Sequence, residues 1–323
     1  MMTKHYLVSF YIILSMLCVE NIAVANPANK TVSDLSASVL RVKVQLANGS
    51  SGLGSAVVIA KNEVITNCHV VNNATNIAII VNGEQHKATA IKADWHHDLC
   101  MLTVENLEVP FVKMGASKAL QYETSIFTIS YPNETKAPVS TFGSVKGLFP
   151  MDDSVIIRAS SSFRLGASGG GAFDDAGNLV GIITLKSKGN AAQYFFMPVE
   201  WVQALISKQA QALGVKNEKP FWAMPASQRP YFMQVVQPYV SQEWSTLLKV
   251  ALEWVQNEPN TAESWFYLAA AEYATKDYSN AEEHLKKVLA LNNKHIQSIE
   301  YLVRISQIKA SVDDPLSQLA QLD

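Results

Sequence analysis

Residues 166–185 read GASGGGAFDDAGNLVGIITL, and this stretch decides how the first two thirds of the chain are read. Its second half spells a hairpin. Apolar runs at 171–173 and 179–185 flank Asp174-Asp175-Ala176-Gly177-Asn178, a cluster of the residue types that tight turns require. Its first half sets one serine among glycines. A serine hydroxyl is a poor nucleophile unless a base takes its proton and donors stabilise the oxyanion. Glycines beside it let backbone N–H groups turn inward with no Cβ in the way. Gly/Ser-rich loops are common, so the string gains meaning only if a histidine and a carboxylate accompany it.

Working outward, residues 38–199 continue as short strands broken by turns, at 39–46, 56–59, 64–66, 78–81, 125–130, 139–145, 155–158 and 194–197. The run at 78–81 leads into Asn82-Gly83, the strongest short hairpin signal. Many short strands without intervening helices predict a sandwich or barrel. Thr66-Asn67-Cys68-His69-Val70-Val71 places a histidine at the end of one strand, and Asp98-Leu99-Cys100-Met101-Leu102 places a carboxylate at the start of another. The chain order is therefore His, Asp, Ser, the order of one of the three known triad arrangements.

With these motifs in place, residues 39–202 resemble the trypsin-like peptidase domain, most of all that of the bacterial high-temperature-requirement periplasmic proteases. The resemblance implies an all-β, chymotrypsin-like pair of six-stranded barrels, with His69, Asp98 and Ser168 as a catalytic triad between them. It further implies an oxyanion hole from the N–H groups of Gly166 and Ser168, and support of the aspartate by the Thr184 hydroxyl. Ser162 matches the base of the primary substrate pocket, which argues against a Lys/Arg preference. Ile183, Leu185 and the run Tyr194-Phe195-Phe196 suggest an apolar, narrowed pocket for small or medium aliphatic residues. If His69 and Asp98 touch, Cys68 and Cys100 are neighbours and a disulfide is possible in an oxidising compartment. The departure from the family pattern is Ala167, where digestive relatives carry aspartate and bacterial ones usually asparagine. Alanine can pair with no new N-terminus, so activation by N-terminal cleavage is not expected. Asp94, His96 and His97 crowd the same loop as Asp98. Without further spaced ligands they read as polar loop residues rather than a metal site, with Asp94 the fallback triad carboxylate, and no cofactor is called for.

After Pro198 the period changes. Residues 199–213 read as a helix, and 214–230, with Pro220, Pro225 and Pro230, as a linker. From 231 to 323 the period is helical. Trp265, Leu268, Tyr278, Ala281, Leu285 and Leu289 resemble a tetratricopeptide repeat. A shift of about 34 residues sets Tyr231 under Trp265, with Pro259 closing a repeat, and brings Ile299 and Leu302 to the places of Trp265 and Leu268. Related proteases usually carry PDZ domains here. An all-α repeat domain suggests a surface for a partner protein.

A formal net charge of −2 across 323 residues leaves no basic footprint for nucleic acid or anionic membrane. At the N-terminus, Lys4 and His5 precede an apolar stretch at 6–19, followed by Ala23-Val24-Ala25. That is the pattern of a signal peptide cleaved after Ala25, too short to be a membrane span. The expected organisation is a signal peptide (1–25), a peptidase domain (32–213), a linker (214–230) and a helical repeat domain (231–323). The expected protein is an exported serine endopeptidase, periplasmic or secreted, that cuts protein or peptide substrates through an acyl-enzyme. The alternative is a protease-fold binding or chaperone-like protein, weak or inactive in catalysis, acting through its repeats.

Overall fold

The computed structural model describes residues 27, 29–133, 135–188, 192–214 and 218–312. The expected signal peptide therefore lies outside the described residues. After α1 (Asn29–Ser36) come β1 (Val39–Leu46), β2 (Ser51–Ala60), β3 (Glu63–Asn67), the single turn α2 (Cys68–Val71), β4 (Ala74–Val81), β5 (Glu84–Asp94) and β6 (Leu99–Val104). Their antiparallel order β5-β4-β1-β2-β3-β6 closes through a β5–β6 pairing into a first six-stranded barrel. The Asn82-Gly83 turn sits where the sequence places it, with φ of 51° and 90°, values natural for these two residue types.

The second barrel comprises β7 (Ser125–Ser130), β8 (Val139–Met151), β9 (Ser154–Ala159), β10 (Gly171–Asp174), β11 (Leu179–Lys186) and β12 (Tyr194–Pro198), closed in the order β10-β11-β12-β9-β8-β7. The strand runs are apolar without strict alternation because both faces are covered. In β2, Ala56 and Val58 join the interior of the first barrel, while Val57 and Ile59 join a second core outside it. In β6, Cys100 and Leu102 point inward while Leu99 and Met101 join that outer core. The outer core runs between the barrels, where Phe127, Phe173 and Ile182 meet it, and on into the helices.

The helix after the barrels is shorter than predicted. α3 spans Val199–Ile206, and Gln211–Ala212 form β13, which pairs with Ile91 and Ala90 of β5. An unpaired strand edge offers backbone donors and acceptors, and the chain satisfies them rather than continuing the helix. The segment read as a linker is also docked. Phe221 is buried, and its N–H donates to the His96 carbonyl at 3.0 Å.

Short α4 (Tyr231–Gln234) and α5 (Val236–Val240) precede α6 (Trp244–Asn257), α7 (Ala262–Ala274), α8 (Tyr278–Leu291) and α9 (Ile296–Val312). α7 is buried on nearly every face because α6, α8 and the second barrel surround it. Buried Arg158 of β9 donates to Tyr267 Oη at 3.0 Å and to the Lys146 carbonyl, so its charge does not go unpartnered. Phe149 of β8 stacks on Phe232 of α4 with centroids 4.5 Å apart. The helices are thus packed on the second barrel through a mixed polar and aromatic contact.

Candidate active site

The β3–β6 register pairs Thr66 with Cys100 and Asn67 with Leu99, so the residues just beyond, Cys68 and Asp98, face each other. The Cys68 N–H donates to the Asp98 carbonyl at 3.1 Å, and Cys68 is joined to Cys100 by a disulfide across a separation of 32 residues. In the chain-entropy view, such a closure stabilises by roughly 4 kcal/mol. His69 rides on the single turn after β3, which lifts its ring out of the sheet. Asp98 has φ of 62°, a left-handed kink that aims its carboxylate back at the histidine.

The two side chains are locked together. His69 Nδ1 lies 2.6 Å from Asp98 Oδ2, and the His69 backbone N–H donates to Oδ1 at 2.8 Å. Asp98 is fully buried, so an anion there needs every donor it can find. Its third donor is the indole Nε1–H of Trp222, 3.2 Å from Oδ2, and the Trp222 ring also stands edge-on to His69 at 5.6 Å. Trp222 comes from the stretch read as a linker and is the site residue that sequence reasoning missed. The available signal was Phe221-Trp222 itself, since two adjacent aromatics are out of place in a solvated linker. Asp98 engages Nδ1 and leaves Nε2 as the ring nitrogen available for other contacts.

A cavity of about 320 Å³ is lined by His69, Ser168, Gly166, Leu165 and Asn133, among others. Ser168 also borders a second cavity of about 450 Å³ on its other flank. Its Oγ donates to the Thr184 carbonyl at 3.5 Å. The loop around it is pinned on all sides. The Asn133 N–H donates to the Leu165 carbonyl at 2.9 Å, Ser55 Oγ to the Gly166 carbonyl at 2.9 Å, and the Ala167 N–H to the Arg164 carbonyl at 3.1 Å. Because the peptide is planar and trans, holding the Leu165 carbonyl toward Asn133 turns the Gly166 N–H the opposite way. The N–H groups of Gly166 and Ser168 donate to no described residue. Glycine is required at 166: φ is 88°, and a Cβ would stand 2.1 Å from Asn133 Oδ1. Ala167 is fully buried in the interior of the second barrel, where an aspartate would lack a partner and alanine fits.

Other expected residues are placed differently. Thr184 does not touch the Asp98 carboxylate. Its Oγ1 accepts from Asn67 Nδ2 at 3.0 Å, and the same amide donates to the Asp98 backbone carbonyl at 3.0 Å, so Thr184 steadies the aspartate's main chain through Asn67. Ser162 is exposed, its carbonyl accepting the Thr141 hydroxyl. Ile183 is buried in the second barrel, and Tyr194 packs against Phe163 with centroids 5.0 Å apart. Of the expected pocket residues, only Leu185 lines the second cavity, together with Phe163, Arg164, Leu165, Lys186 and Lys188.

Comparison with known proteins fits this geometry. Residues 54–182 match the family described as trypsin-like peptidase domain. The matched residues fall within the two barrels. Over 173 residues the chain is 32% identical to a probable periplasmic serine endoprotease, DegP-like, of Ectopseudomonas mendocina, covering 51% of this chain and 36% of the relative. The periplasmic serine endoprotease DegP of Escherichia coli K12 is 30% identical over 177 residues, with 51% and 37% covered. The serine endoprotease DegS of Haemophilus influenzae is 28% identical over 171 residues, with 51% and 50% covered. The chain thus spans little more than a third of the length of the first two. Among solved structures, the active form of the Rv3671c protease from M. tuberculosis superposes with a TM-score of 0.53 at 20% identity, covering 61% of this chain and 92% of that one. At these identities the structures establish the fold of the peptidase domain.

Proposed function

We propose that the chain is an exported serine endopeptidase in which Ser168 is the nucleophile, His69 the general base and Asp98 the group that fixes and stabilises the imidazole. The observation that carries this reading is the Asp98-locked His69 bordering one cavity with Ser168 and the unpaired N–H groups of Gly166 and Ser168. In the proposed reaction, Ser168 Oγ attacks the scissile carbonyl carbon while His69 Nε2 takes its proton. The oxyanion settles on the two N–H groups, and His69 returns the proton to the leaving amine. The acyl-enzyme is then released by water through the same base. Each oxyanion donor is worth about 3–4 kcal/mol in such sites. Trp222 is a positioning residue for Asp98.

The 450 Å³ cavity beside Ser168 supports a substrate side chain that is apolar, since Phe163, Leu165 and Leu185 line it, and not cationic, since Arg164, Lys186 and Lys188 share it with no carboxylate. Export is supported by the leader-like N-terminus, by the Cys68–Cys100 disulfide and by similarity to periplasmic relatives. No helix among the described residues is long and apolar enough to cross a membrane. A partner-binding role for the helical region is supported by Ile296, Ile299 and Val303 of α9, which are exposed at helical spacing on one face.

The test is labelling of the purified chain with a fluorophosphonate probe beside Ser168→Ala and His69→Ala. The expected result is labelling of the wild type and none of either variant. A folded wild type that stays unlabelled while cleaving no unfolded protein substrate would overturn the proposal and favour a binding role.

A further inference from the structure

The loop that leads to Asp98 carries two more histidines, and hydrolysis uses neither. His97 is held on three sides. Its Nδ1 lies 2.9 Å from Asp94 Oδ2, its backbone N–H donates to Asp94 Oδ1 at 3.1 Å, and its ring lies flat against Trp201 with centroids 3.7 Å apart. These contacts fix the direction of Nε2, which points at Asp152 Oδ2 from 2.9 Å. His96 Nε2 stands 3.5 Å from the same oxygen. One ligand atom from each of His96, His97 and Asp152 falls within a sphere of 4.8 Å mutual separation. Bonds of about 2.0–2.1 Å to a tetrahedral zinc ion set neighbouring ligand atoms roughly 3.3 Å apart, so the cluster is close to ligating geometry as it stands.

The chemistry of the donors narrows the choice of ion. Two imidazole nitrogens and one carboxylate oxygen suit zinc and its first-row neighbours, and are too few in oxygen for calcium or magnesium. A metal-binding histidine typically donates its other ring N–H to a carboxylate, which fixes the tautomer and raises ligand basicity. Asp94 stands in that place behind His97, with Lys208 Nζ 3.6 Å from its Oδ2. Asp152 is braced as well, since its carbonyl accepts the Trp201 indole N–H at 3.1 Å, and it occupies the tight β8–β9 turn. The site is open to solvent, because the side chains of His96 and Asp152 are 57% and 53% exposed while that of His97 is 13% exposed.

We propose that His96 Nε2, His97 Nε2 and Asp152 Oδ2 bind a divalent ion of the zinc class, with a fourth position for water. The ion ties the first barrel, which supplies both histidines, to the β8–β9 turn of the second. It also sits beside the segment that carries Trp222, because the His96 carbonyl accepts the Phe221 N–H. Bound metal therefore stiffens the contact behind Asp98, and is a clamp rather than a participant in peptide hydrolysis.

The test uses the full chain, stripped with a chelator and dialysed, then titrated with zinc against a chromophoric chelator, with cobalt as a spectroscopic substitute. Expected are one ion per chain, a tetrahedral cobalt absorption band and a zinc-dependent rise in melting temperature. His96→Ala and Asp152→Asn alter exposed side chains and should keep the fold, yet each should weaken zinc binding at least tenfold and abolish the thermal shift. Failure of the folded wild type to bind zinc would overturn the proposal and leave His97 as a plain ionic bridge between Asp94 and Asp152. Zinc affinity unchanged in both variants would also overturn it, by placing the ion elsewhere.

Discussion

Two histidines of the first barrel are held in the same way and left facing different surroundings. In each, Nδ1 meets an aspartate Oδ2, at 2.6 Å for His69–Asp98 and 2.9 Å for His97–Asp94. In each, the histidine's own backbone N–H donates to the other oxygen of that carboxylate, at 2.8 and 3.1 Å. The difference lies at Nε2. His69 borders the cavity shared with Ser168, and none of the hydrogen bonds of the described residues engages its Nε2, whereas Nε2 of His97 meets Asp152. Burial alone would lower the His97 pKa, but its hydrogen bonds to Asp94 and Asp152 outweigh burial and raise it. Burial likewise pushes Asp94 upward, and the His97 bonds overcome this and bring it down to about 2. An Asp–His pair by itself therefore does not mark a catalytic base. What borders the second nitrogen decides the role.

The largest expected effect comes from deleting one member of the open arrangement. Ser168→Ala or His69→Ala should cost at least roughly 10⁴-fold in kcat/KM on a peptide substrate, while His97→Gln stays within about tenfold of wild type. Equal losses at the two histidines would erase the distinction. The aspartates sharpen it further. Asp98→Asn should lower kcat by roughly 10⁴-fold because it presents the wrong tautomer, and Asp94→Asn by less than about tenfold. A reversed order would make Asp94 the working carboxylate. A smaller effect is expected at Trp222→Phe, which keeps the ring and removes one donor to a buried carboxylate. Such a bond is worth about 1.5–3 kcal/mol, so kcat should fall roughly ten- to a hundredfold with KM nearly unchanged. A rise in KM alone would make Trp222 a substrate contact instead.

His295 supplies the case of a histidine with no acid. Its ring lies between Tyr122 and Phe266 with centroids 5.2 and 4.7 Å away, and Nδ1 accepts the Ser298 N–H at 3.2 Å. Burial first, and then the charge of Arg158, lower its pKa to about 4. Its folded value is thus below that of the unfolded chain, so the unfolded state takes up the proton first as pH falls. The stability held above about pH 6.5 is lost progressively toward the folded value near 4. Relative to wild type, His295→Gln should therefore gain about 2 kcal/mol between pH 7.5 and 4.5, read from urea midpoints at the two pH values. A change in the opposite direction would mean that the ring is charged in the folded protein.

Much of this could be read in advance, and the failures share a cause. Strands with continuous apolar runs are legible in the sequence, whereas β5 is not, because EQHKATAIKAD intersperses charges among its apolar residues. It is a strand because β4 pairs with its first half and β6 with its second, and pairing outweighs weak propensity. Ser162 is a pocket candidate by motif position and Ile183 and Tyr194 by apolar character, and the structure turns each toward a different environment. Pro220, Pro225 and Pro230 make residues 214–230 read as a linker, yet Phe221 is buried and Trp222 reaches Asp98. The prolines mark extended backbone, which can equally lie against a surface.

The sequence by itself determined what depends on near neighbours along the chain. The turn positions, the apolar strand runs, the glycines around Ser168 and the motifs that hold His69 and Asp98 are all properties of short stretches. They are legible because backbone propensity and periodicity act over a few residues. Only the tertiary structure decided the pairings made across distance. Trp222 meets Asp98 across 124 residues, Arg158 meets Tyr267 across 109, and His97 meets Asp152 across 55. Each is a side-chain bond between elements whose relative placement follows from how whole barrels and helices pack, and no local pattern encodes that placement.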